Sequence, residues 1–149
     1  MTSLLVCVSV SHGNTRRIAE AMGAELSARI VEPEEVDAAE VARHDLVGFG
    51  SGIFTRSFHP RLRRFVAALP EGQQGRAFVI ATSGFAPPVA PLERLLASKG
   101  FSVIDGFATR AWDTWFPFKP FGGLHKGRPD DDDLNAARTF ARGLISRAG

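Results

Sequence analysis

A turn rich in small hydroxylated residues follows the first apolar run of the chain, and its residue types suit an anion. The turn reads Ser11-His12-Gly13-Asn14-Thr15 and follows the run Leu4-Leu5-Val6-Cys7-Val8-Ser9-Val10. Backbone N–H groups, the Ser11 and Thr15 hydroxyls and the positive end of a following helix can converge there on a phosphate without a lysine. In the alternative interpretation, Ser11 or Asn14 only caps the helix. The turn therefore predicts either a phosphate site or a helix cap.

The hydrophobic pattern predicts the elements that position this turn. Continuous apolar runs indicate strands buried on both faces, and apolar residues spaced three and four apart indicate helices between them. Strands and helices alternate along the chain, which is typical of a doubly wound α/β sheet. No internal repeat or linker is visible, so we expect one domain over residues 1–149. The predicted strands cover residues 4–10, 29–31, 45–50, 77–82 and 102–108, and the predicted helices start near residues 14, 62, 89 and 130.

Composition and charge exclude several classes of protein. The chain has 149 residues, 44% hydrophobic and 23% charged, which suits a globular domain with a true core. Its 18 lysines and arginines barely exceed its 16 acidic residues, so we expect no nucleic-acid partner. No run approaches the roughly 20 apolar residues of a membrane span, and no basic leader is visible, so we expect a cytoplasmic protein. The scattered histidines lack ligand spacing and predict no metal site.

Other nucleotide-binding motifs fail at identifiable positions. The chain has no Gly-Lys-Ser or Gly-Lys-Thr sequence, which excludes a P-loop. Gly48-Phe49-Gly50-Ser51-Gly52 begins like a dinucleotide fingerprint, but Ile53 stands where the last glycine is required. A phosphoacceptor receiver domain needs an acidic group at the end of a strand near an acidic pair, and no acid follows Val10.

Several segments, in the right order along nearly the whole chain, resemble the flavodoxin-like family. Gly13-Asn14-Thr15 and Ala19 match the family's Ser/Thr-x-x-Gly-Asn-Thr turn and the alanine four residues beyond it, although Val10 stands at the first hydroxyl position. Residues 45–54 resemble the third strand and flavin-contacting loop of small bacterial and archaeal members. Thr82-Ser83-Gly84 and residues 122–129 resemble the same subgroup.

The resemblance implies an FMN-binding, three-layer doubly wound sheet of five parallel strands in the order 2-1-3-4-5. In such a sheet the ends of the first, third and fourth strands form one crevice at the switch point. The first loop would hold the phosphate, and the other two would flank the isoalloxazine ring. The implied cofactor-binding residues are Ser9, Ser11, His12, Gly13, Asn14, Thr15, Ser51, Gly52, Ile53, Phe54, Thr55, Thr82, Ser83, Gly84, Phe85, Trp112 and Asp113.

The aromatic residues set this chain apart from electron-carrier flavodoxins, which commonly stack a tyrosine and a tryptophan on the ring. This chain has no tyrosine. The stacking candidates are Phe54, Phe85, Trp112 and Trp115, although each could instead pack in the core or in a loop. The irregular segment 112–129 could cover the ring, pack at the sheet edge or form a homodimer contact.

The function we expect is that of an electron-transfer protein, which shuttles electrons on FMN between a reductase and an acceptor. No acid, base or nucleophile constellation stands out, which favours a carrier. The alternative is an FMN-dependent oxidoreductase, either a quinone reductase or an enzyme like protoporphyrinogen oxidase. A third interpretation is a flavin-free interaction domain. Arg61, Arg63 and Arg64 predict either a solvated face or a docking patch for an acidic redox partner.

Overall fold

The computed structural model describes residues 2–8, 14–54, 57–83, 89–110 and 131–148. Strands and helices alternate along these ranges, as the hydrophobic pattern predicts. The strands are β1 (Ser3–Val8), β2 (Arg29–Val31), β3 (Leu46–Phe54), β4 (Ser57–Phe58), β5 (Arg76–Ser83) and β6 (Ser102–Arg110). The helices are α1 (Asn14–Leu26), α2 (Ala38–Ala42), α3 (Pro60–Ala68), α4 (Ala90–Ser98) and α5 (Asp131–Ala148), with a 3₁₀ turn at Pro33–Glu35.

The strands form one sheet in the order β2-β1-β3-β5-β6, and all neighbours along this path are parallel. The short strand β4 lies off the path and pairs antiparallel with the end of β3. Counting the parallel strands alone, this is the predicted order 2-1-3-4-5, and the predicted doubly wound fold is confirmed. The order reverses beside β1, which places the switch point at the carboxyl ends of β1 and β3.

Both faces of the sheet are covered, and β1 explains why its sequence is a continuous apolar run. Leu4, Val6 and Val8 belong to one core, which also contains apolar side chains of α3 and α4. Leu5 and Cys7 point to the opposite core, which contains apolar side chains of α1 and α5. Alternate residues of a strand face opposite sides, so a strand between two helical layers has no polar face.

Two short elements do not appear in the sequence-based prediction. Helix α2 spans five residues and buries only Val41, which is too little for a helical period to be recognised. Its start is fixed locally, because the Asp37 carboxylate accepts a hydrogen bond from the Glu40 backbone N–H at 2.9 Å. The other missed element is β4.

Within the described ranges, no helix is long and apolar enough to cross a membrane.

The buried hydroxyl of Ser3 gives a stability prediction. Ser3 is 5% exposed, and its Oγ has no hydrogen-bond partner among the described residues. Replacing Ser3 with alanine is expected to raise the free energy of unfolding by about 1 kcal/mol, because an unsatisfied buried hydroxyl is removed. Urea denaturation followed by circular dichroism measures the change.

The matched control is Ser51→Ala. Ser51 is also buried, but its Oγ accepts from the His59 N–H at 3.0 Å and donates to the Gly52 carbonyl at 2.7 Å. This control is expected to lower the free energy of unfolding by about 1 to 2 kcal/mol. Equal losses in the two variants would show that the Ser3 hydroxyl is satisfied after all.

Candidate functional site

The carboxyl ends of three strands meet at one edge of the sheet. Ser51 of β3 pairs with Val8, the last residue of β1, and with Ala81 of β5 on its other side. One residue further, Gly52 pairs with Thr82. The chain leaves β1 and re-enters regular structure at the start of α1, so the first turn of that helix also lies at this edge. The predicted meeting of the three strand ends is therefore present in the fold.

A hydrogen bond between two threonine side chains joins α1 to the end of β5. The Oγ1 atoms of Thr15 and Thr82 lie 2.9 Å apart, although the residues are 67 positions apart in sequence. Both residues are buried, with 3% and 4% of their surface exposed. The contact fixes the first turn of α1 against β5, so the positive end of the helix dipole is held at the carboxyl edge of the sheet.

A second hydroxyl fixes the end of β3 to the start of α3. Ser51 is fully buried, and its Oγ accepts from the backbone N–H of His59 and donates to the carbonyl of Gly52. The His59 ring in turn caps α3, because its Nδ1 accepts from the Arg61 backbone N–H at 3.1 Å. Phe58 of β4 is 2% exposed and anchors this segment in the core.

The glycine- and serine-rich end of β3 corrects one sequence-based boundary. The predicted strand ends at Gly50, but β3 continues to Phe54 and turns back through β4, with Ile53 opposite Phe58 and Phe54 opposite Ser57. Residues 51–54 are therefore strand residues of a hairpin rather than part of an irregular loop. The pairing of Ser51 and Gly52 with β5 outweighs the poor strand propensity of serine and glycine.

Comparison with known proteins decides the family. The family model of the flavodoxin domain matches residues 5–87, more than half of the chain. The chain belongs to the flavodoxin domain family. An uncharacterised protein of Methanocaldococcus jannaschii is 33% identical over 150 aligned positions, which cover 97% of this chain and 99% of that protein.

Solved flavodoxins share the fold of this family member. Oxidised flavodoxin 1 of Bacillus cereus superposes with a TM-score of 0.73 at 16% identity, covering 97% of this chain and 98% of that one. A flavodoxin from the domain Archaea gives a TM-score of 0.69 at 18% identity and covers 99% of both chains. At these identities the superpositions establish the fold, and the flavodoxins of this family bind FMN.

Eight of the residues implied by the flavodoxin resemblance lie in described elements at this carboxyl edge. Side-chain contacts are described for Thr15, Ser51 and Thr82. The backbones of the remaining five belong to the start of α1 or the ends of β3 and β5: Asn14, Gly52, Ile53, Phe54 and Ser83. The others lie outside the described residues: Ser9, Ser11, His12, Gly13, Thr55, Gly84, Phe85, Trp112 and Asp113.

Sequence reasoning missed His59, which organises the end of β3 through its backbone N–H and the start of α3 through its ring. A usable signal was present, because a polar residue directly before Pro60 occupies the N-cap of a helix that has proline at its first position.

Cys7 lies beside this edge, on β1 opposite Gly50, and it is buried. Its burial raises the pKa of the thiol from 9.0 to about 12, and the nearby Glu32 carboxylate adds to the shift. Cys7 therefore packs as a small buried hydrophobic residue.

The Cys7 thiol is expected to resist alkylation in the folded protein. At pH 8 we expect iodoacetamide to modify the native protein at least about 100-fold more slowly than the urea-unfolded chain, because the thiolate is the nucleophile. The folded thiol keeps a proton that the unfolded thiol releases, so this group lowers stability as pH rises from 9 to about 12. Mass spectrometry measures the reaction. Equal rates in the two states would contradict the buried, protonated thiol.

The predicted docking patch is partly tied to the fold. Arg61 pairs with Glu34 and reaches Glu32 at 3.3 Å, and its hydrogen bond to Glu34 lowers the pKa of that carboxyl to about 2. Arg63 donates from Nε to the carbonyl of Phe58 at 2.9 Å. The charge of Arg61 is therefore compensated, whereas Arg63 and Arg64 are exposed.

Proposed function

We propose that this chain binds FMN at the carboxyl edge of the sheet and carries electrons between a reductase and an acceptor protein. The observation that carries the proposal is the 2.9 Å contact between Thr15 and Thr82. It brings the start of α1 and the end of β5 together beside the end of β3, where a mononucleotide can contact all three elements. Membership of the flavodoxin domain family supports FMN as that mononucleotide.

The start of α1 has the chemistry that a phosphate group requires. Its first turn contains no acidic side chain, and the exposed Arg16 and Arg17 follow Thr15. Helix α5, by contrast, begins with three aspartates, Asp131 to Asp133, which would repel a dianion at the same edge. Of these two helix starts, that of α1 is suited to the phosphate, with the unpaired N–H groups and the Thr15 hydroxyl as donors.

The remaining strand ends would hold the isoalloxazine ring. The hairpin of β3 and β4 is fixed by Ser51 and Phe58, so its strand residues have a rigid support. Residues that follow β5 would contact the ring from the neighbouring strand end. We assign ring contacts to the implied residues of these two segments other than Thr82, which bonds Thr15: Ser51, Gly52, Ile53, Phe54, Thr55, Ser83, Gly84 and Phe85.

Carrier function is supported by the kind of groups at this edge. Bound FMN supplies one- and two-electron chemistry, and the protein orients it and limits its access to water. The polar side chains described at this edge, Thr15, Ser51 and Thr82, are hydroxyls, which are un-ionised near neutral pH and supply no general acid or base. The alternative, an FMN-dependent oxidoreductase, requires a substrate-binding surface beside the ring and turnover without a protein partner.

An acidic redox partner would dock beside α3, because this helix starts where the proposed ring-binding hairpin ends. Of Arg61, Arg63 and Arg64, the first is compensated by Glu34 and Glu32, so Arg63 and Arg64 would supply the attraction. The rate of association with such a partner would fall as ionic strength rises.

Two measurements test the proposed function. Titration of the purified protein into FMN should quench the flavin fluorescence to an end point at a one-to-one ratio, and absence of quenching would refute flavin binding. The FMN-loaded protein should accept electrons from dithionite, yet turn over NADPH and quinones at a negligible rate unless a separate reductase protein is added. Rapid quinone reduction by the chain alone would instead establish the oxidoreductase alternative.

A further inference from the structure

The hydrogen bond between the buried Thr15 and Thr82 uses only one of their two hydroxyl protons. Each hydroxyl carries one proton and two acceptor lone pairs, and only one of the two protons can lie between oxygens 2.9 Å apart. The other proton must point elsewhere. Among the described residues, the two side chains bond each other and no third group. Since both residues are at least 96% buried, bulk water is not available as the acceptor for the second hydroxyl proton.

The positions of the two residues decide which proton is spare. Thr15 lies in the first turn of α1, the helix end that is proposed to hold the phosphate, whereas Thr82 lies near the end of β5. A hydroxyl next to an anion lowers its energy by donating to that anion. With the Thr15 proton committed to the phosphate, the proton between the two oxygens must belong to Thr82.

We propose that Thr82 is a positioning residue for the FMN phosphate: it donates to Thr15 Oγ1 and so directs the Thr15 hydroxyl proton toward a phosphate oxygen. This inference rests on the proposed function. Donation by Thr82 also polarises the Thr15 hydroxyl, which strengthens the hydrogen bond that Thr15 makes to the anion. Thr82 therefore favours the phosphorylated flavin over riboflavin, although it belongs to the strand whose following residues face the ring.

The test compares FMN with riboflavin, which has the same ring and no phosphate. Thr82→Val keeps the shape of the side chain but removes the hydroxyl, and it is expected to weaken FMN binding about tenfold while riboflavin affinity changes less than about twofold. Thr82→Ser keeps the hydroxyl and should restore the wild-type FMN to riboflavin ratio. Fluorescence quenching gives both dissociation constants, and the ³¹P resonance of bound FMN should move in Thr82→Val but not in Thr82→Ser.

Two further variants separate positioning from a general structural effect. Ser3→Ala removes a buried hydroxyl at the start of β1, outside the proposed site, so it should leave the FMN to riboflavin ratio unchanged. Adding Thr82→Val to Thr15→Val should cost no further FMN affinity, because the donor then has no hydroxyl to orient. If Thr82→Val does not fold, Thr82→Ala removes the same hydroxyl.

The outcomes are distinct. FMN binding by the wild type with an unchanged ratio in Thr82→Val, or equal losses for both flavins, overturns the positioning role and leaves the proposed function intact. Failure of the wild type to bind FMN overturns the proposed function and this inference together. A selective loss of FMN affinity with rescue by Thr82→Ser establishes the role.

Discussion

Replacing Phe78 with alanine is expected to lower the free energy of unfolding by about 3 to 5 kcal/mol. Phe78 lies in β5 and is fully buried in the core beneath α1 and α5. Its ring centroid is 5.9 Å from that of Phe140, whose own ring lies 5.2 Å from Phe107 on β6. Truncation would remove the ring that joins β5 to α5 and leave a cavity that the closely packed core around it cannot fill.

Urea denaturation of Phe78→Ala, with Phe65→Ala as its control, measures this effect. Phe65 lies on α3 and is only half-buried, so the same truncation there should cost less than half as much. Equal losses at the two positions would show that the cavity at Phe78 collapses on truncation. A folded Phe78→Ala protein should retain a cooperative transition, because the second core on the other sheet face is untouched.

The sequence alone predicts the layered fold because burial on both faces has a strong pattern. The run from Leu4 to Val8 has no polar face, and this identifies a central parallel strand without further information. Elements with little buried surface leave no such pattern. Helix α2 buries only Val41, and β4 has two residues, so neither can be recognised from periodicity.

At the candidate site, the sequence likewise predicts which residues take part but not the contacts between them. Topology places Thr15 and Thr82 at the same edge of the sheet, so both can be assigned to the site from sequence. Their hydrogen bond depends on the rotation and depth of α1 against β5, which tertiary packing sets and no local pattern reports. The Ser51 hydroxyl likewise gains its partner, the His59 N–H, only after the hairpin has formed.

Three glycines lie within β3, at positions 48, 50 and 52. The predicted strand includes Gly48 and Gly50 but stops before Gly52, because glycine next to serine is typical of a loop. Neighbouring side chains explain two of them. A Cβ on Gly48 would lie 2.5 Å from the Phe78 ring, and one on Gly50 would lie 2.9 Å from the Cβ of Ile80. These glycines make room for large side chains of β5, which a reading of local propensity cannot reveal.

Replacing Gly48 with alanine is therefore expected to destabilise the fold by about 3 kcal/mol, at the upper end of overpacking costs. The new methyl would meet Phe78 Cζ at 2.5 Å and Leu5 Cδ2 at 2.6 Å, far inside van der Waals contact. Both neighbours are fully buried, so neither can move without displacing the helices that cover them. Thermal and urea unfolding measure the loss.

Gly143→Ala is the matched control, since its new Cβ would meet no atom of the described residues within 4 Å outside its own stretch of helix. Gly143 lies within α5, where alanine is the better helix former, so this variant should gain about 0.5 to 1 kcal/mol. Opposite signs for the two glycine substitutions would separate crowding from backbone entropy. A neutral Gly48→Ala would mean that β1, β3 and β5 can spread apart at this point.

The crowding at Gly48 should be relieved by a smaller partner. Combined with Phe78→Leu, the Gly48 substitution should cost at least about 1 kcal/mol less than it does alone, because the ring atom that the methyl meets is gone. The crowded pair Gly48 and Phe78 also lies far from the hydroxyl pair Thr15 and Thr82. Thr82 is four residues beyond Phe78 along β5, or about 13 Å. FMN affinity in the folded Gly48→Ala protein should therefore stay within about threefold of wild type, so that stability and phosphate recognition fail independently.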